Sequence, residues 1–140
     1  MAELIFNRTL DHVTRLKLLQ KKGYENLTES EKAEYSGYAA LGAYNCTDLN
    51  RVESAVAELA PILGLSLTTK TDWTYVSQFT PSHEKRYRTN VVALRDAALA
   101  LDSSLVFPTL PTSITKLTID GANAIEETLY IISKRVGGAI

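Results

Sequence analysis

The sequence predicts a mainly α protein: a small bundle of four to five helices whose connecting segments are extended and rich in aromatic residues. Three observations carry that prediction. Apolar residues recur at alternating steps of three and four in three separate stretches, each a buried stripe on one helix face. Threonines stand just ahead of periodic stretches, where a side-chain oxygen can accept a backbone N–H left free by the first turn. The intervening stretches hold threonine, proline and large rings, which favour an extended chain.

The first helix is predicted from about Thr9 to Lys22. Leu10, Val13, Leu16 and Leu19 point inward, Lys21 and Lys22 lie near the negative end of the helix dipole, and Gly23 offers a stop. Thr28 and Glu31 have capping-box spacing and open a second helix near Glu29, which Gly37 and Gly42 weaken at its far end. In the third, Thr47 is the expected cap and Leu49, Val52, Val56, Leu59 and Leu63 form the stripe. Pro61 should stop or kink that helix close to Ala60. The stretch "LSLTTKTDWTYVSQFTPS" reads as an extended or short β segment closing at Pro81 and Ser82. Tyr87, Val91, Leu94, Ala98 and Leu101 make the fourth helix. Pro108 and Pro111 hold the next connection extended, and Ala122, Ile125, Leu129, Ile132 and Val136 make the last helix. The whole reads as a single helical domain over 1–136, with 137–140 as a free tail.

A chain of 140 residues with 45% apolar and 22% charged residues suits one ordinary globular domain. A formal charge of −1 gives no strong field for nucleic acid or an anionic membrane, and neither is expected as a partner. The N-terminus has no basic region followed by a sustained apolar run, so neither a signal peptide nor a membrane span is expected. The acceptor tripeptides at Asn7, Asn26 and Asn45 should therefore stay unmodified, as by-products of helix capping.

Residue chemistry offers little support for catalysis. The single cysteine, Cys46, would need His12 or His83 as a base, and the spacing suggests neither; it reads as a small half-buried thiol at a helix entrance. One cysteine and two isolated histidines assemble no local metal cluster, and Gly37, Gly42 and Gly121 form no phosphate loop, so no cofactor is expected. The acidic pairs Glu29 with Glu31 and Glu126 with Glu127 read as solvated charge. Lys85, Arg86, Arg88 and Arg95 form the one basic concentration, either a contact for an acidic surface or a solvated helix face. Large rings on non-helical segments act as loop anchors or as contact surface. Trp73 reads as an anchor; Tyr75, Phe79 and Phe107 are the candidate protein-binding residues.

The runs "GAYNCTDLNRVE", "KTDW", "TNVVALRDA" and "LPTSITKLTIDGANAIEETL", in that order, resemble a family of small structural proteins of phages and prophages, chiefly of Gram-positive hosts. The resemblance covers most of the chain. It implies a non-enzymatic virion protein of the tail or baseplate region, made in the host cytoplasm and acting in symmetric copies among other tail proteins. Cys46 stands where an aromatic residue is expected, which touches local packing only. Longer members continue beyond the position of Ile140, so a connector or adaptor is expected rather than a fibre. The competing expectation is a phage-encoded soluble helical adaptor that binds a host protein.

Overall fold

The computed structural model describes residues 3–114 and 117–137. It is mainly helical, as the periodicity predicts: α1 (Leu10–Lys22), α2 (Glu29–Ser36), α3 (Cys46–Ile62), α4 (Pro81–Leu101) and α5 (Ile119–Val136), with 3-10 turns at Tyr24–Asn26 and Ala39–Gly42 and no strand among the described residues. The chain forms two compact units, Asn7–Tyr44 and the residues on either side of it. Of the expected free tail, residues 138–140 lie outside the described residues.

In Asn7–Tyr44, Thr9 precedes α1, and its backbone N–H donates to Nδ1 of His12 at 2.9 Å. Leu10, expected inward, is 69% exposed, because it opens the helix before the first turn reaches the core; His12 takes the buried place. Leu16 and Leu19 pack with Leu27 and Ala39, flanked by half-buried Tyr35 and Ala43. Gly23, at φ 86°, ends α1 in a backbone conformation that glycine adopts without steric penalty. The expected capping box opens α2: Glu31 N donates to Thr28 Oγ1 at 3.1 Å and Thr28 N to Glu31 Oε1 at 2.9 Å. Arg15 grips Glu34 through two hydrogen bonds of 2.6 and 2.7 Å, tying α1 to α2. Gly42 brings the second 3-10 turn so close to α1 that a Cβ there would lie 2.6 Å from the carbonyl oxygen of His12.

In the other unit α3, α4 and α5 pack against one another pairwise. Their stripes meet in a core of Val52, Val56, Leu59, Tyr87, Val91, Leu94, Ala98, Ile125, Leu129 and Ile132, all nearly or fully buried. Burying one such side chain stabilises the fold by about 1.5–3 kcal/mol, so this core is the main source of stability. The stripes leave the core at the helix ends. Leu49, Leu63 and Val136 are half-buried, and Leu101, expected inward, is 56% exposed. α3 runs two residues past Ala60, with Pro61 in its last turn, so the ring disturbs only the helix end. Gly64, at φ 73°, then turns the chain, and Leu65 N returns to the Ala60 carbonyl at 2.8 Å. Pro81 is the first residue of α4, behind a Thr80 cap whose Oγ1 accepts His83 N at 3.3 Å. Thr118 caps α5 by accepting Gly121 N at 3.0 Å.

Candidate interaction site

The entrance of α3 is organised by Asn45 rather than by the expected Thr47. Asn45 Oδ1 accepts the Thr47 N–H at 2.9 Å and the Thr47 hydroxyl at 2.6 Å, while Asp48 accepts the Asn45 N–H at 2.9 Å. Thr47 lies inside the first turn and is exposed. Asparagine two residues earlier has the extended backbone that a cap requires, so the threonine hydroxyl becomes a donor to the cap.

One turn further, α3 carries two buried charge assemblies. Arg51 holds Glu126 of α5 through bonds of 2.6 and 2.8 Å and Asp48 through a third of 2.5 Å. Glu126 is fully buried, and it also accepts the Ile5 N–H at 2.9 Å, which fastens the segment before Asn7 to this unit. Desolvation works against the Arg51 charge, but the carboxylates of Glu126 and Asp48 outweigh it and hold the guanidinium more firmly protonated than usual. The second assembly surrounds Glu53, 1% exposed. Its carboxylate accepts from Trp73 Nε1 at 2.5 Å, from Arg86 of α4 at 2.7 and 2.8 Å, and from the Lys70 N–H at 3.0 Å.

These groups fasten the extended connection between α3 and α4. Asn50 brackets Trp73, accepting its N–H at 2.7 Å and donating to its carbonyl at 2.9 Å, and Asn90 donates to the Thr68 carbonyl at 2.8 Å. No strand pairing holds this segment; side chains of α3 and α4 supply its partners. Trp73 is accordingly buried, the anchor that the sequence suggested. The chain then turns outward at Thr74–Ser77, closed by Ser77 N on the Thr74 carbonyl at 3.1 Å. In the second connection, Glu84 accepts from Arg88 at 2.8 Å and from the Ile114 N–H at 3.1 Å, and both contacts, Arg88 first, lower its carboxyl pKa.

The candidate contact residues fall in three settings. Tyr75 is 81% exposed at the tip of the turn, next to Val76 at 90%. Phe79 packs inward, its ring 5.3 Å from Trp73 and 6.0 Å from Tyr87. Phe107 is half-buried on the wall of a groove with Arg95 and Leu99. The basic concentration is divided: Arg86 serves Glu53, Arg88 serves Glu84, and Lys85 is exposed. Cys46 is the half-buried first residue of α3. Both histidines sit at the third position of a helix and accept the N–H of the residue before it through Nδ1, at 2.9 Å in His12 and 3.1 Å in His83. Among the described residues, no group of three or more His, Cys, Asp or Glu could hold a metal ion.

Sequence reasoning passed over Glu53 and treated Glu126 as solvated. A signal was present. Glu53 is three residues before Val56, and Glu126 is four after Ala122, so each charge lies on the inner face of its helix. Comparisons with protein-family models, curated proteins and solved structures found no match.

Proposed function

We propose that this chain is a non-enzymatic structural protein of a phage particle, a connector or adaptor of the tail or baseplate region that works in symmetric copies. The observation that supports the reading most is the use of the motif residues. Asn45, Asp48, Asn50, Arg51 and Glu53 in the first run, Trp73 in the second and Glu126 in the last spend their polar groups on one another, on Thr47 and Arg86, or on nearby backbone. Residues employed in this way make a rigid scaffold from which extended segments project. Assembly proteins work through such surfaces, where a few rings supply much of the binding energy. Tyr75 and Phe107 are the rings that project or line a groove, whereas Phe79 packs inward against Trp73.

Symmetric placement multiplies a modest contact, because each copy presents the same patches to its neighbours. The test is mass spectrometry and electron microscopy of particles purified from a host that carries the gene. The expected result is the protein at a fixed copy number in the tail region. Its absence from particles, with soluble protein in the lysate, would overturn this reading and favour the host-directed adaptor.

A further inference from the structure

Between the last turns of α4 and the segment that follows it lies an open groove of about 380 Å³, walled by Leu99 on the helix and by Leu105, Phe107, Pro108 and Leu110 on the segment. That volume falls within the usual range for ligand sites and accommodates roughly two or three side chains. One charge lines it, Arg95. Its guanidinium reaches only the adjacent Asp96, with two nitrogens at 3.3 Å from the same oxygen, whereas Arg15 and Arg51 hold their glutamates at 2.6 to 2.8 Å. A fork of donors so loosely engaged matches an incoming carboxylate.

The segment itself points to what kind of molecule carries that carboxylate. Leu105 and Phe107 are half-buried while Val106 between them is 83% exposed, the alternation of a strand. The backbone N–H groups of Val106, Phe107, Thr109 and Leu110 find no partner among the described residues. Those of Phe107 and Thr109, two residues apart, fall on one edge of the extended chain, and such an edge accepts a second extended chain through main-chain hydrogen bonds, with alternate side chains entering the pockets beside it.

We propose that this groove binds an extended segment of a partner protein in which an aspartate or glutamate stands among aliphatic residues. The partner backbone pairs with the edge at Phe107 and Thr109, its aliphatic side chains fill the space between Leu99 and Phe107, and its carboxylate takes Arg95. The inference goes beyond the assembly role, since the same chemistry serves a virion neighbour or a host protein.

The test uses the whole protein and a short fluorescein-labelled peptide that alternates valine and threonine around one central aspartate, with an asparagine version beside it. Fluorescence anisotropy should show the aspartate peptide binding, with the asparagine peptide weaker by about tenfold, a change of one power of ten in Kd. Arg95→Gln should erase that preference, and Phe107→Ala should weaken both peptides, with circular dichroism unchanged in each variant. Amide NMR shifts on titration should concentrate at residues 105–110. Equal affinity for the two peptides, no binding at all, or shifts centred elsewhere would overturn the proposal. So would concentration-dependent shifts of the same amides in the protein alone, which would make a second copy the occupant.

Discussion

Asn45 and Thr47 stand two residues apart at the start of α3, and both are residue types that cap helices. Periodicity locates the helix but does not choose between them, since one extra residue at either end leaves the stripe unchanged. The choice follows from the carboxylate of Asp48, which has capping-box spacing from Asn45 and not from Thr47. Asn45→Ala should therefore destabilise the protein by about 1 kcal/mol and Thr47→Ala by much less, as urea unfolding would measure. At Gly42 the spacing of apolar residues carries no information at all, because what matters is an approach to α1 across a chain reversal. A methyl group there would meet the backbone of His12 and Val13 at 2.6 to 2.7 Å. Backbone cannot step aside as a flexible side chain can, so Gly42→Ala should cost about 1–3 kcal/mol in the same measurement. A stabilised variant would show that the close approach is absent in solution.

Helices and connections differed in how far the sequence exposed them. The helices were legible from apolar residues repeated over several turns in α1, α3, α4 and α5 and from the capping box in α2, whose far end, expected to weaken at Gly37 and Gly42, falls at Ser36. The extended segment from Leu65 to Thr80 was legible only as non-helical and aromatic. What holds it is a set of single polar residues on other elements, Asn50, Glu53 and Asn90, whose partners lie at least 17 residues away. No local pattern encodes such pairings. Glu53→Ala leaves the Trp73 indole and the Arg86 guanidinium without their acceptor in a buried place, so a loss of about 3–5 kcal/mol is expected. Tryptophan fluorescence should shift toward that of an exposed indole. A second element-level test uses acid. Lys22 and the Thr28 N–H bring the Glu31 carboxyl from 4.5 to about 2, and Ser104 and Arg135 bring Asp102 from 3.8 to about 2. Both carboxyls bind protons less readily in the folded chain than in the unfolded one. Their contribution is thus complete above the ordinary values and is lost as pH falls from about 4.5 toward 2. Melting temperatures of Glu31→Gln and Asp102→Asn should lie below wild type at neutral pH and converge with it at the acid end. Parallel curves across that range would show that neither contact forms in solution.

For the whole molecule, the test is whether stability and assembly can be separated by choice of side chain. Leu59 is fully buried where α3 meets its partners, and Leu→Ala at such a site costs about 2–5 kcal/mol, a large share of the net stability of a small domain. Leu59→Ala should lower the thermal midpoint by many degrees, and any loss of assembly would follow from unfolding. Tyr75 is the opposite case. Its ring is 81% exposed, while the turn that carries it is closed by Thr74 and Ser77 and its base is anchored by Trp73, none of which needs the tyrosine side chain. Tyr75→Ser should leave the thermal midpoint and the tryptophan fluorescence unchanged. In a particle of symmetric copies the same ring is removed from every contact at once, so a loss small in one pair is repeated around the assembly. On the proposed virion role, the expected outcome is a folded protein with reduced copy number in purified particles, measured by quantitative mass spectrometry against a tail protein of the same particle. Full incorporation of Tyr75→Ser would remove the turn from the contact surface and leave the groove at Phe107 as the remaining candidate.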